Sequence, residues 1–355
     1  MSRNFLICFC LKGKIMKIYA KQIFIKALLL YLAVAWMIFS IPVYAEDTVY
    51  EPLPEMKHPA DNSWSKEKEE LGKMLYFDPR LSGSNWISCA TCHNPGLGWG
   101  DGLPRAIGHG QKELGRHSPT IINSGYFPLQ MWDGRKKTLE EQAVGPIGAA
   151  VEMNQDYGEL VKELKAISGY VRLFEEVFGK DSITMDNIGK AIATFERSVV
   201  SKNAPYDKYW QGNKKAMSKS AVNGMNLFFS KAKCSICHNG PAFTDGNFHN
   251  IGGQQHGPLK VDLGRFNESK DDFDKGAFKT PGLRHVTRSA PYMHDGSEPT
   301  LESVIAFYNR GGDVEQNRSP FITPLELTAR EEKDLVEFLK ALEGEPIMVA
   351  IPQLP

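Results

Sequence analysis

Cysteine is scarce in this chain, and acid is missing from one end of it. The 355 residues include six cysteines, of which only four lie beyond residue 45. Residues 1–45 contain no Asp or Glu but carry six basic residues, Arg3, Lys12, Lys14, Lys17, Lys21 and Lys26. The formal charge is zero overall, so loss of this stretch leaves 36 basic against 42 acidic side chains. A mildly acidic protein is a poor ligand for nucleic acid and a better one for a small basic protein. A long apolar run is also lacking. The run Ala27 to Phe39 falls short of the roughly 20 residues that a membrane span needs. Lys17, Lys21 and Lys26 precede it, and Pro42 and the small residue of Val43-Tyr44-Ala45 follow it. That is the pattern of a secretory signal peptide over 1–45, with an uncleaved anchor as the alternative. Met16 is an alternative start, and Cys8 and Cys10 leave with the signal in either case. The mature protein is expected in the periplasm.

Sustained period-2 alternation is absent too, which excludes an extended sheet architecture. What is present is helical. Ser65 caps an expected helix running through Leu71 and Leu75 to Phe77, where Asp78-Pro79 stops it. Leu160, Leu164 and Ile167 mark a second helix. Thr184 begins a third, with Ile188, Ile192 and Phe195 on one face, and Ser218 a fourth, with Val222, Met225 and Phe229. Thr328 and Glu331 form a capping box for a last helix bearing Leu335, Phe338, Leu339 and Leu342, with Gly344 behind it. Between these, residues 81–125 are rich in Gly, Pro, Asn and Ser, a long loop of the kind that usually has a function. The fold class is mostly α with long loops. A hydrophobic content of 42% is enough for a sizeable core.

An exported protein normally pairs its cysteines in disulfides. Here all four mature cysteines fall into two C-x-x-C-H motifs, Cys89-Ala90-Thr91-Cys92-His93 and Cys234-Ser235-Ile236-Cys237-His238. Two thiols at this spacing reach the two vinyl groups of one porphyrin, and the adjacent histidine comes beneath the iron. A four-cysteine zinc site and a redox-active pair are the alternatives. Two such motifs, each preceded by a helix, favour two covalently attached haems c. They divide the chain into an N-terminal haem domain over 46–206, a C-terminal haem domain over 207–343 and a tail over 344–355. The boundary falls near Asn203–Asn213, and the cytochrome c-like domains face each other.

The chain resembles the bacterial dihaem cytochrome c peroxidases and their MauG-type relatives, which mature a tryptophan-derived cofactor in another protein. The resemblance runs from about Leu71 to Leu342. It rests on Gly72-Lys73-Met74-Leu75-Tyr76-Phe77-Asp78, Ile107-Gly108-His109-Gly110, Met131-Trp132-Asp133-Gly134-Arg135, Val151-Glu152-Met153 and Ala290-Pro291-Tyr292-Met293-His294-Asp295-Gly296, beside the haem motifs.

That resemblance implies roles. His93 and His238 are proximal iron ligands, with the N-terminal haem peroxidatic and the C-terminal haem for electron transfer. Glu152 is the distal acid–base group and Gln142 a hydrogen-bond partner of bound peroxide; solvated polar residues are the plainer alternative for both. Trp132 lies on the electron path, or is simply a core tryptophan. Arg135 pairs with a propionate or a carboxylate. His109, between Gly108 and Gly110, is a releasable resting ligand of the first iron, or a loop histidine. Tyr308 is the sixth ligand of the second iron, and Met293 competes with it. A calcium ion is held by the carbonyls of Ser289 and Pro291, with His117 standing where an Asn is usual. His294 and Asp295 organise the second pocket, while His58, His249, His256 and His285 take surface or structural places. The function implied is reduction of hydrogen peroxide with electrons from a small c-type cytochrome or similar donor, in a protein that forms a homodimer. MauG-type oxidation of protein tryptophan is the alternative. A purely electron-transferring dihaem cytochrome and a zinc-binding structural protein are competing classes.

Overall fold

Helix starts are set by capping side chains throughout. In the computed structural model, which describes residues 51–355, α1 (Lys66–Phe77) begins where the Ser65 hydroxyl accepts the Lys68 N–H at 3.2 Å. The signal-peptide expectation for 1–45 lies outside the described residues. The short α2 (Cys89–Cys92) carries the first cysteine pair, and α3 (Leu139–Gly148), α4 (Tyr157–Ala166), α5 (Ser168–Phe178) and α6 (Met185–Glu196) follow. Then come α7 (Pro205–Trp210), α8 (Lys219–Phe228), α9 (Phe266–Ser269), α10 (Leu301–Asn309) and α11 (Ala329–Ala341). Thr184, Ser218 and Thr328 cap α6, α8 and α11 as their sequences indicate. Helices α3, α5 and α10 lack so clear a signal. Gly145 and Pro146 lie inside α3, and both residue types ordinarily break helices. The only strands among the described residues are β1 (Phe248–His249) and β2 (Phe278–Lys279), antiparallel, with Phe248 opposite Lys279. No described helix is long and apolar enough to cross a membrane.

Two hydrophobic cores repeat one design. In the first, α1 crosses α6 so closely that a Cβ at Gly72 would overlap the Ala191 carbonyl. In the second, α8 crosses α11, and a Cβ at Gly224 would overlap the Asp334 carbonyl. Glycine is the residue that permits either approach. Four residues beyond each glycine an aromatic ring meets a partner on the crossing helix. Tyr76 and Phe195 have centroids 5.1 Å apart, and so do Phe228 and Phe338. A third ring closes each group: Trp99 lies 5.9 and 6.0 Å from Tyr76 and Phe195, and Phe243 lies 6.0 and 6.1 Å from Phe228 and Phe338. Leu71, Leu75, Ile188 and Ile192 complete the first core, and Met225, Leu335 and Leu339 the second. Each fully buried aliphatic or aromatic side chain contributes about 1.5–3 kcal/mol. Each core therefore stands on its own crossed helix pair, and each has one cysteine of a C-x-x-C-H motif packed at its edge, Cys89 or Cys234.

Candidate active site

Each C-x-x-C-H motif forms a single tight turn. The His93 and His238 N–H groups donate to the Cys89 and Cys234 carbonyls at 2.9 and 2.8 Å. The rings are then fixed in the same way. His93 Nδ1 lies 2.9 Å from the Pro119 carbonyl, and His238 Nδ1 lies 3.0 Å from the Phe243 carbonyl. A carbonyl only accepts, so each Nδ1 carries the hydrogen and each Nε2 keeps its lone pair for a metal. Burial holds both imidazoles below their usual pKa, which keeps that pair available. Tyr76 steadies the first turn, its hydroxyl donating to the His93 carbonyl at 2.7 Å.

No disulfide joins any of the four cysteines. Burial pushes Cys92 up to about 11 and Cys234 up to about 12, and raises Cys89 further. The two cysteine pairs do not meet in a four-cysteine cluster among the described residues, as a structural zinc site of that kind would need. Cys89 packs on the first core and Cys234 on the second. The one group with metal-like spacing among the described residues is Cys237, Asp245 and His249. In it His249 Nε2 lies 2.8 Å from Asp245 Oδ2. His249, expected at a surface or structural place, instead lines the cavity beside Cys237.

That cavity fits a flat apolar cofactor. It encloses about 1610 Å³ of empty space, counting its open mouth, and is lined by Cys234, Cys237, His238, Met293, Tyr308 and mostly apolar residues. The Tyr308 hydroxyl meets no hydrogen-bond partner among the described residues, and burial pushes its pKa well up. Met293 faces the same space from a left-handed backbone position, φ 72°. His294 stacks on Phe278 at 3.6 Å, and Asp295, with no exposed surface, accepts the His256 N–H at 2.9 Å.

The first half brings its predicted residues together around one turn. Glu152 follows α3, half-buried, with burial raising its carboxyl pKa against the lowering effect of Arg135. It is near enough to Cys92 to disturb that thiol's ionisation. The His109 N–H donates to the carbonyls of Val151 and Glu152 at 3.2 and 2.8 Å. A Cβ at Gly108 would overlap the Val151 carbonyl, which is why the loop needs glycine there. His109 Nδ1 is buried without a partner. Gln142 is half-buried on α3, and its side chain makes no hydrogen bond to the described residues. Of the two partners open to Arg135, the structure shows the carboxylate: its Nη1 lies 2.9 Å from Asp133. Arg116 joins Asp133 and Asp262 at 2.7 and 2.6 Å.

At the expected calcium position the side chain is the imidazole that the sequence indicates. Ser289 and Pro291 lie there, but the side chain that meets them is the His117 imidazole, 5% exposed. Its Nδ1 lies 2.9 Å from the Leu103 carbonyl, and the carbonyls of Pro104 and Ser289 also face the ring. Calcium takes oxygen ligands, and the imidazole offers only nitrogen.

An internal repeat escaped the sequence reading. Met131-x-Asp133-Gly134 with Thr138-Leu139-Glu140 recurs as Met293-x-Asp295-Gly296 with Thr300-Leu301-Glu302. Both methionines have left-handed backbones, φ 71° and 72°, and each threonine caps its helix at 3.1 Å. Trp132 and His294 occupy matching places. The Lys279 N–H donates to the Trp132 carbonyl, and the His117 N–H donates to the His294 carbonyl, both at 2.8 Å. The Trp132 indole donates to the His117 carbonyl at 2.9 Å and lines the cavity. His117 is two residues from Pro119, which holds His93, so the tryptophan bridges the first histidine's mooring and the second cavity. Eight residues beyond each cap threonine stand Pro146 and Tyr308. The repeated Met-x-Asp-Gly and Thr-Leu-Glu were the signal that could have found this equivalence.

Residues 66–215 match the family model described as di-haem cytochrome c peroxidase. The chain is 44% identical over 303 residues to the methylamine utilization protein MauG of Methylorubrum extorquens, covering 84% of each chain. It is 37% identical over 364 residues to the cytochrome-c peroxidase IdrP1 of Denitromonas iodatirespirans, covering 93% of this chain and 97% of that one. Among solved structures it is similar to a MauG-like protein associated with microbial copper homeostasis, with TM-score 0.77, 32% identity, and coverage of 82% and 95%.

Proposed function

We infer the function from one premise: the chain belongs to the di-haem cytochrome c peroxidase family that includes MauG, and is an oxidoreductase of that family carrying two c-type haems. Within it, we propose a periplasmic enzyme that reduces hydrogen peroxide to water, taking two electrons and two protons per peroxide. A small c-type cytochrome or similar redox protein supplies the electrons. Cys89, Cys92 and His93 would hold one haem, and Cys234, Cys237 and His238 the other. When bound, such haems supply an open iron for peroxide and a second centre that passes or stores one electron at a time.

The observation that carries this reading is Glu152. Its burial-raised carboxyl stands beside the first cysteine pair, on a turn gripped by the His109 loop. A carboxyl so held can take the proton from one peroxide oxygen and return it to the leaving one. Gln142, with unspent donors, would orient the peroxide. Pro146 has no side-chain donor atom with which to ligate an iron, whereas Tyr308 at the matching place would be able to hold one. Trp132 relays electrons between the two. His109 would be a resting ligand that withdraws when the second centre is reduced.

A second reading, MauG-type oxidation of a protein tryptophan side chain, is favoured by Tyr308. A phenolate donor lowers an iron's reduction potential and makes it a poor acceptor from an ordinary cytochrome. One experiment separates the two. Fully oxidised protein receives one equivalent of hydrogen peroxide while the Soret and near-infrared bands are followed. No change until one electron is added supports the reductively activated peroxidase, with His109 as resting ligand and Met293 in place of Tyr308. An immediate change in both regions supports the MauG-type reading. No reaction in either state refutes both.

A further inference from the structure

Lys279 is a buried cation whose charge meets no carboxylate. It is 9% exposed, and it is one of the residues that line the cavity beside His238 and Tyr308. Its only polar bond to the described residues is made by the backbone, Lys279 N–H to the Trp132 carbonyl. The ammonium rests 4.3 Å from the centre of the Phe127 ring. The carboxylates of this region are engaged elsewhere: Asp133 and Asp262 by Arg116 and Arg135, and Asp245 by His249. Burial alone pulls the lysine down to about 8, with no opposing charge to hold it up.

The magnitudes do not balance within the protein. Taking an ammonium out of water is costly even after relaxation, and a cation–π contact returns only part of that cost. A buried charge is ordinarily paired or neutralised. Here the missing partner must come from whatever fills the cavity. The motif at Cys234–His238 names that occupant as a porphyrin, which carries two propionate carboxylates.

We propose that Lys279 is the counter-ion of a propionate on the haem that Cys234, Cys237 and His238 would hold. The inference deepens the two-haem reading and rests on it. It also gives the Trp132 contact a purpose: the hydrogen bond from Lys279 fixes the lysine backbone against the tryptophan that bridges the two sites. Lys279 is a positioning residue rather than a catalytic one.

The test compares holoprotein carrying Lys279→Met with the wild type. A haem spectrum in the wild type establishes the underlying reading, and its absence would defeat that reading before Lys279 is at issue. With both haems present, K279M should melt lower, because it strands a propionate anion in the interior. The second haem's midpoint potential should become more negative, and the propionate-bending band in its resonance Raman spectrum should shift. A melting point equal to or above that of the wild type, with potential and band unmoved, overturns the proposal. It would show a lysine merely packed on Phe127. If K279M does not accumulate, K279R decides. It keeps the charge but redirects the donors, so a displaced propionate band supports the pairing and an unmoved one refutes it.

Discussion

Helix α3 in the N-terminal half and helix α10 in the C-terminal half start from the same Met-x-Asp-Gly loop and the same threonine cap, yet point different chemistry at their sites. Where α10 carries Tyr308, α3 carries Pro146. Only the first half continues into a turn bearing a half-buried carboxyl, Glu152, locked to a glycine-flanked histidine loop. Where α6 carries the buried acid Glu196, one residue beyond Phe195, α11 carries Leu339, one residue beyond Phe338. The helix scaffold and the C-x-x-C-H turns are shared between the halves, while Pro146 against Tyr308 and Glu196 against Leu339 set them apart. One plan used twice can thus yield a centre that moves protons and a centre that only moves electrons.

The sharpest break of this contrast is Glu152→Gln. Peroxide turnover should fall by roughly 10²–10⁴-fold, the usual cost of losing a positioned acid–base group. Both haem bands and the melting point should stay as in the wild type. Steady-state assay beside an absorption spectrum checks this, and a loss under tenfold would remove Glu152 from the chemistry. Next comes the exchange of the matched helix positions. Tyr308→Phe should open the second iron, so that cyanide titration under the same conditions finds one more site per chain than in the wild type. Pro146→Tyr should close the first and abolish reaction with peroxide. If Tyr308→Phe leaves the cyanide stoichiometry unchanged, Met293 is the ligand.

Much of this was legible before any coordinates. The cap residues Ser65, Thr184, Ser218 and Thr328 announce their helices because a hydroxyl that satisfies a free N–H is a local signal. The two C-x-x-C-H motifs, using every mature cysteine, point to haem by spacing alone. Helices α3 and α10 were not legible, since Gly145 and Pro146 obscure the one and the other is short. The cavity place of His249 and the Leu103 carbonyl that moors the His117 ring depend on contacts between separate segments. The unpaired charge of Lys279 depends on the same kind of contact, and no local pattern in the sequence encodes such facts.

Glu196 offers a pH test that only the first half should show. It is 4% exposed, and one carboxyl oxygen has no partner. Burial raises its pKa to about 8, with Arg197 opposing and Glu140 reinforcing. A carboxyl with a raised folded pKa favours the folded state while protonated. As pH climbs from about 4.5 towards 8, the unfolded chain loses its proton first and stability falls, by at most about 1.4 kcal/mol per pH unit. Glu196→Gln should flatten that decline, as read from denaturant midpoints at pH 5, 6.5 and 8. Leu339→Gln in the other half should lower stability equally at every pH. A wild-type profile that is flat over this range would refute the buried-acid reading.

The smallest effect should be the one the halves share. Gly72 and Gly224 let two helix pairs touch backbone to backbone, and a methyl group at either would meet a carbonyl that cannot step aside. Over-packing of this kind typically costs about 1–3 kcal/mol. Gly72→Ala and Gly224→Ala should therefore each lower the melting point by several degrees and by similar amounts, with peroxide turnover per folded molecule unchanged. Because the sites are in separate cores, their costs should add to within about 0.5 kcal/mol in the double variant. A strongly non-additive pair would mean that the two cores do not respond independently. The symmetry would then be coupled through the interface where Trp132 meets Lys279 and His117 meets His294, and reduction of one haem site could be sensed by the packing of the other.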